Sequence, residues 1–553
     1  MYKPWFADTV VYQVYPMSFQ DSNNDGIGDL NGIKSRLGYI KELGANFIWL
    51  NPIYKSPNAD NGYDISDYKA IQSTYGTMDD FDSLVAAAHK MGIGIMMDLV
   101  VNHTSDQHPW FLASEQGQDN QYSDYYIWAD PVDGHAPNDW QGVFGGDAWT
   151  YVAQRNQYYL HSFAAAQPDL NWHNPKVRAE VQSIMRFWLE RGVDGFRMDA
   201  IDFPAKPKFS NEGQTFTNVG EAEPDLNRLN QYLGELNQNV LSKYDRILTV
   251  GEMSTATPQN AATFSNLDGS ELNMVFQFEH VNLAANPDPR LSKWNDAPVK
   301  LIDLKQALSK WQSGLDGKGW NSLYWNNHDQ PRAVSRFATD DPKWRELAAK
   351  MLGTTLHMLQ GTPYIYEGEE IGMTNAHLTN LDQYEDLDSI NAYHELVDEK
   401  HLVDGETMLE YLADRSRDNA RTPMQWDAQL NAGFTQSTPW YKLNANYSTI
   451  NVASNMADDQ SVFHHYQQLI QLRRNNDIIK YGNYSELLPS DPNVFAYTRQ
   501  LNGNKLVIIS NFTSAELTGD YGIANGKLLI SNYHDDLQST LRPYESKVYE
   551  LTN

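Results

Sequence analysis

The sequence predicts an α/β protein: a (β/α)8 TIM barrel carrying an inserted loop-rich domain and ending in an all-β sandwich domain. Three observations predict it. Short apolar runs alternate with longer helical stretches through most of the chain, two long polar excursions interrupt that alternation, and the last part changes to short β-type runs with turn signals. Continuous apolar strands separated by helices describe a parallel sheet covered on both faces. About eight such runs are readable, which favours a closed barrel over an open sheet.

Taken in order, Val10–Tyr15 reads as a strand and Ile33–Leu43 as a helix. Asn46–Leu50, Ile93–Val101 and Gly195–Asp199 follow as strands, with the helical stretches Met78–Met91 and Pro175–Arg191 between them. Arg246–Val250, Ser322–Trp325 and Thr362–Tyr366 continue the strand series. The first interruption runs from Thr104 to Trp172 and the second, read as irregular, from about Gly372 to Ser454. Loops of this length in a compact protein are usually functional. Beyond Ile479, Val494–Tyr497, Asn502-Gly503 and Leu506–Ile509 read as strand, turn and strand. The expected division is a catalytic barrel over 1–103 and 173–478, an insert over 104–172 and a β domain over 479–553.

Charge and composition narrow the function. The 553 residues include 71 acidic and 42 basic ones, a net charge of −29. That balance argues against nucleic acids and anionic membranes, which are held by Lys and Arg. The absence of cysteine excludes disulfides, thiolate metal sites and a cysteine nucleophile, and it fits a reducing cytoplasm. Met1–Asp8 lacks the basic start and apolar stretch of a secretory signal. No uncharged apolar run approaches the ~20 residues that span a bilayer. The expectation is a cytoplasmic protein with no organic cofactor and a neutral small-molecule partner; a monomer is favoured, with the oligomeric state left open. Its 32 Tyr and 15 Trp supply flat, amphipathic surfaces of the kind that suit carbohydrate.

Ionisable side chains gather where the strands end: Asp98 with His103, Arg197 with Asp199, Glu252, and His328 with Asp329. In a parallel barrel these ends converge on one mouth. A single strand-end carboxylate is more often a helix cap or an ion-pair partner, but four such ends together point to a site. No Gly-x-Ser-x-Gly elbow follows a strand, which removes a serine nucleophile from consideration.

Asp98-Leu99-Val100-Val101-Asn102-His103, Gly195-Phe196-Arg197-Met198-Asp199, Val250-Gly251-Glu252 and Asn326-Asn327-His328-Asp329 resemble, in order, the four main motifs of the α-amylase family, glycoside hydrolase family 13. Gln167–Trp172 and Ala420–Trp426 are similar to further motifs of its oligo-1,6-glucosidase and α-glucosidase branch. The resemblance runs from Trp5 into the β tail and implies an exo-acting, retaining α-glucosidase. It implies Asp199 as nucleophile, Glu252 as general acid/base and Asp329 as a third carboxylate gripping sugar hydroxyls. Arg197 would keep Asp199 ionised, and His103 and His328 would bind the glucose. Asp60, Tyr63, Phe163 and Gln167 are implied as substrate-binding, with Arg417 closing the pocket opposite Asp60; Arg421 is a second candidate for that last role. Ala200, directly after the nucleophile, departs from the valine that accompanies α-1,6 cleavage in this branch. It therefore favours the α-1,4 linkage. α-1,6-specific hydrolysis, and transglucosylation or sucrose isomerisation through the same covalent intermediate, stand as alternatives.

One loop suggests a metal. Asp21, Asn23, Asp25, Ile27 and Asp29 present oxygens at alternate positions, with Gly26 at the sixth place of an EF-hand-type loop. The twelfth place is Gly32 rather than Glu, so water would complete the shell. The expected ion is a structural Ca2+, with Mg2+ as a second possibility; hard oxygen ligands exclude zinc.

Overall fold

Eight parallel strands form one sheet in the computed structural model, which describes residues 3–207 and 217–551. They are β1 (Val11–Val14), β2 (Phe47–Leu50), β3 (Gly94–Val100), β4 (Gly195–Asp199), β5 (Leu248–Glu252), β6 (Met274–Phe276), β7 (Ser322–Leu323) and β8 (Thr362–Tyr366). Each strand through β6 pairs with the one before it, and β8 pairs with both β7 and β1. A single parallel bridge between Val275 and Asn321 joins β6 to β7 and closes the hoop. β1, β2, β4, β5, β6 and β8 are buried along their whole length, as apolar runs without alternation require.

The structure departs from the sequence reading at three places. β6 is a strand that the reading did not contain, because three residues are too short to show a pattern. The helix expected over Ile33–Leu43 is two helices, Leu30–Ser35 and Leu37–Leu43, separated at Arg36. There the Arg36 guanidinium bonds Gln20 and lies 3.9 Å from the Trp426 ring. The stretch read as irregular from Gly372 to Ser454 contains helices, among them Leu387–Tyr393 and Gly405–Arg415. The second is capped by Asp404, whose side chain accepts from the Thr407 N–H at 3.0 Å, and buries Met408 and Leu412. Such a cap stabilises a helix by ~1 kcal/mol.

Within the insert, Trp128–Ala129, Gln157–Leu160 and Trp149–Val152 make a three-stranded antiparallel sheet around Trp140, Trp149 and Leu160. Asn218, from beyond β4, bridges to Gln141 on its edge. After the barrel, β9 (Asn483–Leu487), β10 (Val494–Leu501), β11 (Asn504–Asn511), β12 (Lys527–Ser531) and β13 (Ser546–Leu551) form an antiparallel sheet in the order β9-β10-β11-β13-β12. Asn502 and Gly503 join β10 to β11 with φ of 51° and 86°, the two left-handed residues a tight hairpin needs. Alternation splits the sheet: Phe495, Tyr497 and Ile508 face the barrel core, whereas Val494, Ala496 and Val507 pack with Leu541 of a two-stranded ribbon. The Tyr497 hydroxyl donates to the Thr355 carbonyl at 2.7 Å and ties this domain to the barrel helix Arg345–His357. No described helix is long and apolar enough to cross a membrane.

Candidate active site

The residues expected from the sequence converge at the C-terminal ends of the barrel strands. Arg197, on β4 and fully buried, sits at the centre. Its Nη1 donates to Asp98 Oδ1 at 2.6 Å and to Asp199 Oδ1 at 2.7 Å. Its Nη2 lies 2.7 Å from Glu252 Oε1, an ion contact without the alignment of a hydrogen bond. Residues 197 and 199 share a strand face because side chains alternate along a strand, so one guanidinium reaches three carboxylates. Burial is the largest influence on all three, and Arg197 opposes it. Asp98 is pushed up to about 6, and Asp199 and Glu252 each to about 7. Asp199 raises Glu252 and Asp329 raises both, so the acidity belongs to the group rather than to one residue. Glu252 Oε2 accepts the Ala200 N–H at 3.0 Å.

Tyr63 and His328 stack with centroids 5.3 Å apart and planes 3° from parallel. Gln13 donates its amide to His328 Nδ1 at 2.9 Å. The imidazole proton therefore sits on Nε2, 2.7 Å from the Tyr63 hydroxyl and 3.1 Å from Asp329 Oδ2. Burial lowers the His328 pKa and keeps the ring neutral. His103 is likewise pushed down to about 4 by burial; its Nε2 is 3.0 Å from the Tyr63 carbonyl and 3.2 Å from Gln167 Nε2. Gln167 donates to Asp60 Oδ2 at 3.0 Å, and Phe163 packs 5.1 Å from His103.

A second charge cluster lies beside the first. Arg417 Nη1 donates to Asp329 Oδ1 at 3.0 Å, and Arg421 Nη2 donates to the same oxygen at 2.9 Å. Arg417 also lies 3.7 Å from Asp60 Oδ1. Between the expected candidates, Arg417 is thus the residue placed against Asp60. Both arginines bond Asp386, Arg417 through Nε at 3.0 Å and Nη2 at 2.5 Å, and Arg421 through Nη1 at 3.1 Å. Asp329 and Asp386 are held below the usual carboxylate range: burial pushes them up, but His328 with the two arginines outweighs it at Asp329, and Arg417 with Arg421 outweighs it at Asp386. Asp60, reached by Arg417 at longer range, is pushed up by burial to about 7.

Sequence reasoning missed Asp386, Gln13, Asn51 and Phe144. Asn51 donates to the Tyr63 hydroxyl at 2.7 Å, and the Phe144 ring lies 4.9 Å from the Arg417 guanidinium. Gln13 lies on β1 and Asn51 directly follows β2, so both stand at strand ends as polar groups without charge, whereas Asp386 and Phe144 lie in the two long excursions and only the tertiary fold brings them in. A cavity of about 580 Å3, lined by Arg336, Phe337 and Arg415, lies elsewhere and holds none of the expected catalytic residues.

The Asp21–Asp29 loop folds as a chain of Asx turns: Asn23 N–H on Asp21, Asp25 N–H on Asn23 and Ile27 N–H on Asp25, each at 2.9 Å. Gly26, at φ 92°, packs so closely against the Thr438 carbonyl that a side chain would not fit. Asp29 accepts from Ser22 and caps the following helix at Gly32. The oxygens are of the type a hard cation takes, although among the described residues no three His, Asp or Glu side chains group as a ready-made metal cluster.

A family model described as alpha amylase, catalytic domain, matches residues 13–482. An oligo-1,6-glucosidase of Parageobacillus thermoglucosidasius is 50% identical over 565 aligned positions covering 100% of both chains. An alpha-glucosidase of Pediococcus pentosaceus is 50% identical, with 99% of each chain covered. The solved structure of isomaltulose synthase from Klebsiella sp. LX3 superposes with a TM-score of 0.94 at 40% identity, covering 100% of both chains. With the family model matching most of the chain and relatives 50% identical over its whole length, the chain belongs to the α-amylase family of glycoside hydrolases.

Proposed function

We propose that this glycoside hydrolase is an exo-acting, retaining α-glucosidase that releases glucose from the non-reducing end of short α-glucosides, with the α-1,4 linkage favoured. Asp199 attacks the anomeric carbon while Glu252 protonates the leaving oxygen, giving a glucosyl ester on Asp199. Glu252 then takes a proton from water, which attacks the ester and restores both carboxyl groups. Arg197 supports the ionised form of Asp199, and burial supports a protonated Glu252 near neutral pH. Asp329, kept ionised by two arginines, is suited to accept hydrogen bonds from sugar hydroxyls.

The observation that supports the exo reading is the pairing of Arg417 with both Asp60 and Asp386 beside the expected catalytic carboxylates, charged groups suited to meet the terminal glucose. The small, buried Ala200 supports the α-1,4 preference. Equal enzyme given maltose and isomaltose should turn over maltose faster and release α-glucose first; an isomaltose preference overturns the linkage, and release of β-glucose overturns retention. The oligo-1,6-glucosidase relative favours a second reading, α-1,6 cleavage, which the same comparison decides. Products from sucrose separate hydrolysis from isomerisation. Arg417, Arg421 and Lys206 already pair with carboxylates, which disfavours a phosphorylated substrate. The Asx-turn loop supports a structural calcium at Asp21, Asn23, Asp25, the Ile27 carbonyl and Asp29. Elemental analysis of purified protein tests it, and a stoichiometric absence of Ca2+ with no effect of added Ca2+ on melting overturns it.

A further inference from the structure

One buried ammonium joins three segments around the site. Lys206, 7% exposed, lies in the segment that follows the nucleophile strand β4. Its Nζ donates to Asn102 Oδ1 at 2.7 Å and to Ser162 Oγ at 3.2 Å, and it pairs with Asp169 Oδ2 at 2.7 Å. Asn102 directly precedes His103 beyond β3, whereas Ser162 and Asp169 belong to the insert. Asp169 Oδ1 in turn accepts from Asn102 Nδ2 at 3.1 Å and from the Ser162 N–H at 3.1 Å, and Asp169 Oδ2 accepts the Ser162 hydroxyl. Asn102, Ser162 and Asp169 are all fully buried.

An ammonium only donates and a carboxylate only accepts. The Asn102 amide between them therefore has one orientation, oxygen toward Lys206 and nitrogen toward Asp169. Its Nδ2 also lies 3.2 Å from His103 Nδ1, so that ring nitrogen presents its lone pair. Burial keeps the ring neutral, and its single proton sits on Nε2, 3.0 Å from the Tyr63 carbonyl, which can only accept. Gln167 Nε2 lies 3.2 Å from the same ring nitrogen, and its amide is fixed by Asp60 and by the Ala164 N–H. Two donors thus stand side by side, an arrangement that suits an accepting hydroxyl oxygen. We infer that Lys206 and Asp169 are a positioning pair for glucose binding: by orienting the Asn102 amide they hold His103 in the Nε2–H tautomer that offers a donor to the sugar. The inference rests on the reading that His103 meets the bound glucose. A pair that merely pinned the insert to the barrel would leave the tautomer untouched.

The tautomer is read from the ring-nitrogen NMR shifts of His103 in histidine-labelled protein, with His103→Gln identifying the signals. The parent should show Nε2–H. Lys206→Met combined with Asp169→Asn removes both groups that orient the amide without leaving a carboxylate buried and unpaired. It should shift the ratio of the two tautomers toward Nδ1–H by roughly tenfold, the worth of one hydrogen bond. Asn102→Asp changes no volume but sets an acceptor against His103 Nδ1, and should bring a proton to that nitrogen. In both variants the inhibition constant for glucose, measured with an aryl α-glucoside, should rise by about tenfold. Ser162→Ala loosens the insert while keeping both orienting groups; it should lower the melting midpoint and leave Nε2–H in place. The proposal falls if the parent carries Nδ1–H, or if the first two variants lose stability but keep the parent's tautomer. If the tautomer changes while glucose inhibition stays at the parent value, there and in His103→Gln, the ring does not meet the sugar and the proposal falls with its premise. Maltose hydrolysis by the parent enzyme, run alongside, tests the α-glucosidase reading separately from either outcome.

Discussion

Two arginine-centred clusters face each other across the site, and they leave their carboxylates in opposite states. Around β4, one guanidinium serves Asp98, Asp199 and Glu252, and all three are pushed up. Around the 415–421 segment, two guanidiniums serve Asp329 and Asp386, and both are held down. Burial is the first influence in each case, so depth does not separate them. What separates them is how closely cations and donors reach each carboxylate. Asp329 meets His328 and both arginines, and Asp386 meets both arginines. Asp60, which Arg417 approaches only to 3.7 Å, is pushed up to about 7 like the first cluster. Where few such partners reach a carboxylate a proton stays available for transfer, and where several do it remains a permanent acceptor.

Removing the nucleophile tests the first cluster most severely. Asp199→Ala should lower kcat on maltose by at least ~10^4-fold with the circular dichroism spectrum unchanged. Removing the shared cation should be nearly as damaging and should also reach the fold. Arg197→Gln removes the cation shared by three buried carboxylates and should cost about 3–5 kcal/mol, read as a lowered midpoint in urea. Glu252→Gln should cost ~10^2–10^4-fold on maltose and much less on an activated aryl glucoside. The pH profile sharpens the same contrast. Activity needs Asp199 ionised and Glu252 protonated, so kcat/KM should rise as Asp199 loses its proton and fall as Glu252 loses its own. With both pushed up to about 7, the parent enzyme should show a bell centred near neutrality, and Glu252→Gln should lose the falling side.

The second cluster should respond in KM. Asp386→Asn weakens the hold on both arginines while leaving Asp199 and Glu252 in place. It should raise KM for maltose by about tenfold with a smaller change in kcat, as measured by initial rates. An equal fall in kcat for this variant and for Glu252→Gln would erase the distinction between the two clusters.

The first cluster was far more legible in the sequence than the second. Asp98, Arg197, Asp199 and Glu252 stand at the ends of apolar runs, where strand periodicity alone directs them to one mouth. Asp386 begins a short helix in a stretch with no such frame, and its partners lie 31 and 35 residues away. Arg417 and Arg421 are four residues apart on one short helical segment, so spacing could not choose between them; only the 3.7 Å approach to Asp60 does. β6 escaped for a related reason, since Met274–Phe276 is held by the closing of the hoop rather than by any pattern of its own. What is local in sequence was readable, and what depends on distant partners was not.

The hoop itself has a seam. β7 is two residues long and touches β6 through one bridged pair, whereas β3 and β4 are matched over five. His328 and Asp329 hang from the far end of that short strand, so these two residues grow from the least zipped part of the wall. Amide protons there should exchange with solvent sooner than those of β3 and β4. Their fixed placement then owes less to the sheet than to side chains that clamp them from outside, Gln13 and Tyr63 on the ring and Arg417 and Arg421 on the carboxylate. The barrel delivers the nucleophile and the acid on taut cords, and hands the third carboxylate over on a loose one that its neighbours must pull tight.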